Sequence, residues 1–342
     1  MSWSRRIVSL SSRAPGVTRA FLTSTRPRRF LVLCYHRVND DAHPFFTGTP
    51  VALFRKQMEA LRRHFTVLPL TELGERARLR DLPRNGVAVT FDDGYRDNYT
   101  NAFPVLRDVG LPATVFLTTD ALDRNSLLWH DRVFDGFHRT RKAEARASFA
   151  TVLTRLRRSS PEERDLRIDS LLEDLAIEPG VPSGWEKLTW QQVREMASHG
   201  ISFGAHTLDH PILTLVSEGE ARRQIRESKK RIEAELGSPV TMFAYPNGGA
   251  SDFDRSTQRI VEEEGLSLAV TTVSGANDES TNPYSLRRTG MWGDDPRLST
   301  LRLALARLRR KGRVDFPLET SYASHALVRA EAGPPTQPPS RS

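Results

Sequence analysis

Short apolar runs rich in β-branched residues alternate with amphipathic stretches along most of the chain from residue 30. The segments FLVLCYHRV (30–38) and ATVFLTTD (113–120) are typical of buried strands. In EARRQIRESKKRIEAELG (220–237), apolar side chains recur with the period of a helix, and charged side chains cover the other faces. Parallel β/α units produce such an alternation, so the chain is predicted to be an α/β protein.

The number of these units predicts a barrel. About seven or eight strands, most of them followed by a helix, favour a closed or nearly closed (β/α) barrel over an open doubly wound sheet, which is the alternative. The open sheet is disfavoured because no Gly-rich phosphate loop follows the first predicted strand. Up to residue 120 the predicted order is strand, helix, strand, strand, helix, strand.

Three parts of the chain depart from the alternation. We place the barrel at residues 30–295, between a basic segment at 1–29 and a basic helix with a Pro-rich disordered tail at 296–342. Residues 121–188 contain a long, charge-rich helical stretch in place of a β/α unit. A connection of this length needs its own structure, which predicts a helical insertion over the rim of the barrel.

Charge and cysteine content restrict the partners. The net charge of +8 comes from 50 basic and 42 acidic residues, and much of the excess lies near the two ends. An anionic membrane surface or a polyanionic glycan is a candidate partner, and solvated basic faces are the alternative. No zinc-finger, RNA-binding or helix-turn-helix pattern indicates nucleic acid. Cys34 is the only cysteine, so an intramolecular disulfide is excluded.

The sequence also carries an expectation about the compartment. No segment has the roughly 20 apolar residues that a membrane span requires. In the first thirty residues, Arg, Ser, Pro and Gly interrupt every apolar run, unlike in a signal peptide. We therefore expect a cytoplasmic protein, and the basic ends leave peripheral contact with the inner membrane face open.

Polar residues that could carry chemistry follow four predicted strands. The segments are CYHRV (34–38), TFDDGYRD (90–97), GAHTLDHP (204–211) and AYPNGG (244–249). The carboxyl ends of the strands of a β/α barrel meet on one rim, so these segments are expected to converge. His130 and Asp131 lie in the insertion and are interpreted as structural rather than catalytic.

Two of the four segments contain residue types suited to a metal ion. Asp92 and Asp93 repel each other by about 1 kcal/mol in water and by several times more near a protein surface, and a cation would turn this cost into an attraction. His206 and His210 are four positions apart, and two imidazoles with one carboxylate leave coordination positions open, as in a catalytic site. Surface or capping roles are the alternatives for all four residues.

The pair of segments resembles a known family. TFDDG (90–94) followed by HTLDH (206–210) resembles the polysaccharide deacetylases with the NodB homology domain, carbohydrate esterase family 4. The resemblance implies a distorted (β/α) barrel that removes N-acetyl groups from amino sugars. It also implies that Asp93, His206 and His210 bind a divalent metal, Zn²⁺ or alternatively Co²⁺ or Ni²⁺. Asp92 is implied as the base for the attacking water.

A third segment is similar to the family's third motif. FAYPNGG (243–249) stands where many members have Arg-x-Pro-x-Gly, and Ala244 replaces the arginine. This departure is shared with a YPxG-type branch that acts on exopolysaccharide-type glycans. The backbone amide of Asn247 is implied as the donor that stabilises the oxyanion. Tyr245, Pro246 and Trp292 are expected to contact substrate.

The end of the predicted barrel departs from the family pattern. Arg287 and Arg288 stand where the family commonly supplies a histidine as general acid. Arginine does not release a proton near neutral pH, but it binds carboxylates, so Arg288 is expected to replace the missing arginine that orients the base. His36, expected on the same rim, is a candidate for the acid. A hydrogen bond to Asp92 or a place in the core are its alternatives.

The sequence thus predicts a metal-dependent hydrolase that removes N-acetyl groups from a polysaccharide or a lipid-linked glycan precursor. One alternative is a hydrolase of another non-peptide C–N bond, such as a cyclic amide, because related barrels use the same metal ligands. The other is a catalytically impaired glycan-binding barrel. The missing general-acid histidine favours this last alternative, and the intact Asp92 disfavours it.

Overall fold

The computed structural model describes residues 28–290, except 42, 47, 125, 141–146 and 179. Trp292, the predicted C-terminal helix and tail, and residues 1–27 of the basic N-terminal segment lie outside the described residues. Among the helices that are described, none is long and apolar enough to cross a membrane.

Strands and helices alternate along the described chain. The strands are β1 (Leu31–Tyr35), β2 (Thr66–Val67), β3 (Gly86–Phe91), β4 (Thr114–Leu117), β5 (Ser202–Ala205), β6 (Met242–Ala244), β7 (Leu268–Ser274) and β8 (Leu286–Gly290). The helices are α1 (Val51–His64), α2 (Leu70–Arg78), α3 (Phe103–Val109), α4 (Trp129–Arg139), α5 (Phe149–Leu156), α6 (Pro161–Asp174), α7 (Trp190–Ser198), α8 (Glu218–Leu236) and α9 (Arg255–Glu263). A π-helical turn at Asn98–Ala102 precedes α3, and short 3₁₀ turns lie at Leu213–Leu215 and Pro283–Ser285.

The strands form a closed, parallel, seven-stranded barrel, which confirms the predicted fold class and excludes the open sheet. Each of β3 to β8 pairs with the next, and β1 closes the ring by pairing with both β8 and β3. The short β2 lies outside the ring, beside the start of β3, whose end pairs with β4. Because β2 and β4 share one edge of β3, the barrel is irregular at this point.

Alternate strand residues face two different layers. One set fills the barrel interior and includes Val32, Ala88, Phe116, Ala244, Val270 and Leu286. The other set packs against the surrounding helices and includes Leu33, Val89, Phe91, Val115, Phe203 and Phe243. Successive side chains along a strand point to opposite faces. An inward-facing position just after the end of a strand therefore lies at the mouth of the barrel.

The predicted order up to residue 120 was wrong in one respect, because α2 lies between β2 and β3. The helix is short and contains Gly74, which weakens its sequence pattern, since glycine costs about 1 kcal/mol in a helix interior. A Cβ at Gly74 would lie 2.8 Å from a methyl group of Leu268. The glycine therefore allows α2 to pack closely, and its Leu70 and Leu73 join the cluster that fills the barrel interior.

The insertion has a hydrophobic cluster of its own. Helices α4, α5 and α6 occupy the region predicted to be helical. Their buried side chains pack with the loop that follows β1 and with the segment that leads to α7. This cluster comprises Phe45, Phe46, Tyr95, Trp129, Val133, Phe134, Phe137, Phe149, Leu153, Leu156, Ile168 and Trp185. The insertion is thereby held against the carboxyl ends of β1 and β3.

Candidate active site

The end of β3 places the two adjacent aspartates in different surroundings. Asp92 continues the inward series of Ala88 and Thr90 and is buried at the mouth of the barrel. At Asp93 the backbone enters the left-handed region with φ of 70°, and Gly94 follows with φ of 63°. The turn separates the two carboxylates, so that each meets a different set of partners.

Left-handed backbone conformations are concentrated around this turn. Asp93, Thr207, His210 and Asn247 all have φ between 56° and 70°. For residues other than glycine, such a conformation costs about 1 to 3 kcal/mol and is typical of functional sites. The three loops that carry these residues follow β3, β5 and β6. Contacts of Asp93 with His206 and His210, and of His206 with Ala244, bring these three strand ends together as predicted.

Asp93, His206 and His210 form a compact buried group that could hold a metal ion. The Oδ1 atom of Asp93 lies 3.3 Å from Nε2 of His206 and 3.4 Å from Nε2 of His210. Tetrahedral ligands at about 2.0 to 2.2 Å from a zinc ion are separated by roughly 3.3 to 3.6 Å, which matches these distances. Among the described residues, Asp93 Oδ1 has no hydrogen-bond donor. The donor set therefore fits a divalent cation.

The barrel fixes the orientation of His206. Its Nδ1 lies 2.7 Å from the carbonyl oxygen of Ala244, which can only accept, so Nδ1 carries the proton and Nε2 keeps its lone pair. A metal-binding histidine is commonly held in this way through its other ring nitrogen. The loop with His210 is held from the insertion, because the Trp129 indole N–H donates to the His210 carbonyl at 3.2 Å.

Asp92 is held by Arg288 through two parallel hydrogen bonds. Nη1 of Arg288 donates to Oδ1 at 2.7 Å and Nη2 donates to Oδ2 at 2.6 Å. Nε of the same guanidinium donates to the carbonyl of Thr271 at 2.7 Å, which fixes its plane. Arg288 is fully buried, whereas the neighbouring Arg287 faces the other way along β8 and is partly exposed. The predicted contact between Arg288 and Asp92 is thus present, and the role of Asp92 as base stays a prediction.

Both carboxylates are kept ionised by their partners. Burial raises the pKa of Asp92, but the charge and hydrogen bonds of Arg288 outweigh burial and bring the pKa below its ordinary value. Burial likewise raises the pKa of Asp93, and the interactions with His130 and His206 hold it well below the ordinary value. Two acceptors with negative charge therefore lie side by side in the mouth of the barrel.

Cys34, His36 and Asp92 form a second group with the spacing of metal ligands. Nε2 of His36 lies 3.9 Å from Oδ2 of Asp92, and Sγ of Cys34 lies 3.7 Å from the same oxygen. Both oxygens of Asp92 already accept from the Arg288 guanidinium, whose positive charge disfavours a cation at this position. The group around Asp93 is therefore the better metal site.

The predicted substrate residues lie in unequal positions. Tyr245 is fully buried in the core, where its hydroxyl donates to the Tyr284 carbonyl at 3.0 Å. Pro246 is buried as well, so Tyr245 and Pro246 shape the loop, and direct contact of their side chains with sugar stays an untested prediction. Asn247 is partly exposed, and among the described residues its backbone N–H meets no acceptor. Trp292 lies outside the described residues.

The insertion brings His130 and Asp131 closer to the site than the sequence suggested. Nε2 of His130 lies 3.7 Å from Oδ2 of Asp93, and the His130 and His210 rings are 4.8 Å apart. Asp131 is fully buried and pairs with Lys187, a residue that no sequence motif singles out. The available signal was the run Trp-His-Asp at the start of an amphipathic stretch, which does not reveal what it contacts.

Comparison with known proteins agrees with this geometry. The sequence profile described as Polysaccharide deacetylase matches residues 80–269, more than half of the chain. The chain belongs to the polysaccharide deacetylase family. Within the family it is similar to YxkH of Bacillus subtilis (strain 168), whose name describes it provisionally as a polysaccharide deacetylase. The two are 23% identical over 277 residues, which cover 79% of this chain and 74% of the relative.

Further likenesses cover a smaller region or concern the fold alone. The chain is 31% identical over 111 residues to the poly-beta-1,6-N-acetyl-D-glucosamine N-deacetylase of Escherichia coli (strain K12). This match covers 31% of the chain and 16% of the relative. The polysaccharide deacetylase fold is shared with PplD of Streptococcus pyogenes, solved with acetate, and IcaB of Ammonifex degensii. Each has a TM-score of 0.59, covers 82% of this chain and 99% of its own, and is 20% or 21% identical respectively.

Proposed function

We propose that the protein is a metal-dependent deacetylase that removes N-acetyl groups from amino sugars of a polysaccharide or a lipid-linked glycan precursor. The observation that carries this proposal is the pair of adjacent carboxylates with separate partners. Asp93 lies with two imidazoles in a group that fits a metal ion, and Asp92 lies beside it, held by Arg288. Hydrolysis of an amide needs both an electrophile and a base, and this arrangement supplies a place for each.

Asp93, His206 and His210 would hold the metal, with Zn²⁺ favoured by two imidazoles and one carboxylate and Co²⁺ or Ni²⁺ as alternatives. When bound, a divalent metal lowers the pKa of water toward about 7 and polarises the amide carbonyl. The protein's own part is to keep the three donor atoms close together and free of other hydrogen bonds. The observed Asp93 Oδ1 meets this requirement among the described residues.

Asp92 would act as the base, and Arg288 as the residue that positions it. A carboxylate offers about four lone-pair directions, so one remains for a proton after Arg288 has taken two and the weakly donating Cys34 thiol a third. The low pKa of Asp92 keeps it ionised at neutral pH, and the fixed guanidinium prevents its rotation away from the site. This role replaces that of the arginine absent at Ala244.

The remaining groups would complete proton transfer and charge stabilisation. The Asn247 N–H is proposed to donate to the carbonyl oxygen as negative charge develops on it. The proton that Asp92 accepts must reach the leaving amine, and His36 at 3.9 Å from Asp92 is the proposed carrier. Burial lowers the pKa of His36, so the imidazole starts neutral and is able to receive that proton.

The substrate class rests on the family and on the relatives. The Escherichia coli relative is named for removing acetyl groups from poly-beta-1,6-N-acetyl-D-glucosamine, and PplD was solved with acetate. The sequence from Tyr245 to Gly248 supports placing the chain in the YPxG-type branch, whose members act on exopolysaccharide-type glycans. An N-acetylated glycan is therefore the substrate that we propose.

Acetate release from a panel of N-acetylated oligosaccharides and lipid-linked saccharides tests the proposal, with zinc content measured in parallel. Asp92→Asn is expected to keep zinc and lose acetate release, because only the base is removed. Asp93→Ala is expected to lose both. Asp108→Asn, which changes an exposed carboxylate, should keep both.

Two results would count against the assignment. Full zinc content and full activity in Asp93→Ala would show that the metal site lies elsewhere. If the wild type binds zinc but releases acetate from no substrate, hydrolysis of another amide, such as a cyclic one, becomes the better proposal. A protein inactive on those amides too would be a glycan-binding barrel.

A further inference from the structure

The first turn of α4 is fixed to the barrel by a buried ion pair. Oδ2 of Asp131 lies 2.9 Å from Nζ of Lys187, and both side chains have no solvent exposure. Oδ1 of Asp131 accepts from the Tyr95 hydroxyl, and its carboxylate also accepts from the Leu128 backbone N–H at 3.2 Å. Burying two charges is costly unless their hydrogen bonds are satisfied, as they are here. The position of this turn is therefore well defined.

His130 projects from this fixed turn toward the metal ligand Asp93. Its Nε2 lies 3.4 Å from the Tyr95 hydroxyl, 3.4 Å from Oδ1 of Asp131 and 3.7 Å from Oδ2 of Asp93. The ring is packed among aromatic side chains that restrict its rotation. These are Trp129, Phe134, Phe46 and His210, with ring centroids 4.8 to 6.5 Å away.

The two oxygens of Asp93 consequently face different groups. Oδ1 faces His206 and His210 at 3.3 and 3.4 Å, in the group that fits a metal ion. Oδ2 faces His130 on the side of the insertion. At 3.7 Å this is an electrostatic contact rather than a direct hydrogen bond, and it favours the orientation of Asp93 in which Oδ1 faces the two proposed imidazole ligands.

We propose that His130 is a positioning residue for Asp93, so that the helical insertion is part of the metal site and sets its affinity. The proposal rests on the proposed metal site at Asp93, His206 and His210, and adds a residue from outside the barrel. Partners that hold a metal ligand change metal affinity by about 10- to 100-fold when they are removed. Replacement of His130 by a residue without an N–H donor is expected to have an effect of this size.

The test is a competition titration of Zn²⁺ against a chromophoric chelator, using the full chain after removal of metal. His130→Leu should bind zinc about 10- to 100-fold more weakly than the wild type. His130→Gln should restore most of the affinity, because its amide N–H can reach the place of Nε2. His130→Asn, whose amide is too short to reach Asp93, should resemble His130→Leu. His138→Leu, on the exposed end of the same helix, should bind like the wild type.

The melting temperature of each metal-free variant and the visible spectrum of each Co²⁺ complex complete the experiment. Equal zinc affinity in wild type, His130→Leu and His130→Asn would overturn the proposal, as would equal losses in His130→Gln and His130→Leu. A Co²⁺ spectrum of His130→Asn that indicates the loss of a nitrogen ligand would also overturn it, because His130 would then be a ligand. A folded wild type that binds no zinc would instead refute the metal site itself.

Discussion

The side chains around Asp93 come from two regions, the barrel rim and the helical insertion, which place them by different means. On the rim, His206 follows β5 directly, and its bond to the Ala244 carbonyl on the neighbouring β6 fixes where it lies. In the insertion, His130 reaches the same carboxylate only because an aromatic cluster and a buried ion pair hold α4 in place. The alternation of a strand and the residue at which it ends are local features of the sequence, whereas this packing depends on residues far apart in the chain.

The barrel side of the comparison is tested most strongly at Arg288. Replacing it by Met leaves the Asp92 carboxylate buried without a cation, which is expected to lower the free energy of unfolding by about 3 to 5 kcal/mol. Acetate release should fall as well, because Asp92, the proposed base, loses the group that orients it. Urea denaturation and the acetate assay measure the two effects.

The neighbouring Arg287 provides the matched control. It lies on the same strand but is partly exposed, so Arg287→Met should change stability by no more than about 0.5 kcal/mol. The double variant Arg288→Met/Asp92→Leu should recover most of the stability and remain inactive, because no unpaired charge is left. Similar losses in the two single arginine variants would mean that the pair does not hold the rim together.

These positions show how much the sequence could predict. Arg288 is two residues after Leu286, and strand alternation places both inside the barrel, so the choice between the two arginines was within reach of the pattern. The barrel and the position of Asp92 follow from the same alternation and from the strand ends. The helix α2 was missed because Gly74 weakens its pattern, and the need for that glycine appears only where α2 meets Leu268.

The insertion shows where prediction from sequence stops. His130 and Asp131 are adjacent in the chain, yet His130 faces Asp93 and Asp131 pairs with Lys187, 56 residues away. Nothing in the spacing of these three residues indicates the contact, because a helical segment can pack in many orientations until its cluster of aromatic residues is assembled. The interpretation of His130 and Asp131 as structural agrees with the ion pair between Asp131 and Lys187. It did not anticipate that His130 lies near Asp93.

The insertion side of the comparison is tested by the coupling between Lys187 and Asp131. In a double-mutant cycle with Lys187→Met and Asp131→Asn, the interaction energy is expected to be about 1 to 3 kcal/mol, because the pair is fully buried. The pair of Arg167 and Glu163 on α6 is more exposed and should give no more than about 0.5 kcal/mol. Equal coupling in the two pairs would contradict the view that Asp131 and Lys187 hold α4 in place.

The smallest of the expected effects concerns the contact between the loop after β1 and the insertion. His43 in this loop lies with its ring 4.4 Å from that of His138 on α4. Its Nδ1 accepts the Phe46 backbone N–H at 3.0 Å, which requires that nitrogen to be unprotonated. Burial and the charges of His138 and Arg37 lower the pKa of His43 from 6.5 to about 3. The charge of Asp131 opposes this shift.

Because the unfolded chain binds the proton at a higher pH than the folded protein, this contact stabilises the fold above pH 6.5 and loses its effect as the pH falls toward about 3. After allowance for solvent screening, we expect a slope below about 1 kcal/mol per pH unit. His43→Asn keeps an acceptor for Phe46 but does not titrate. Its free energy of unfolding, measured by urea denaturation between pH 6 and pH 4, should therefore fall less steeply than that of the wild type. Parallel slopes would show that the loop and the insertion are joined without any contribution from the ionisation of His43.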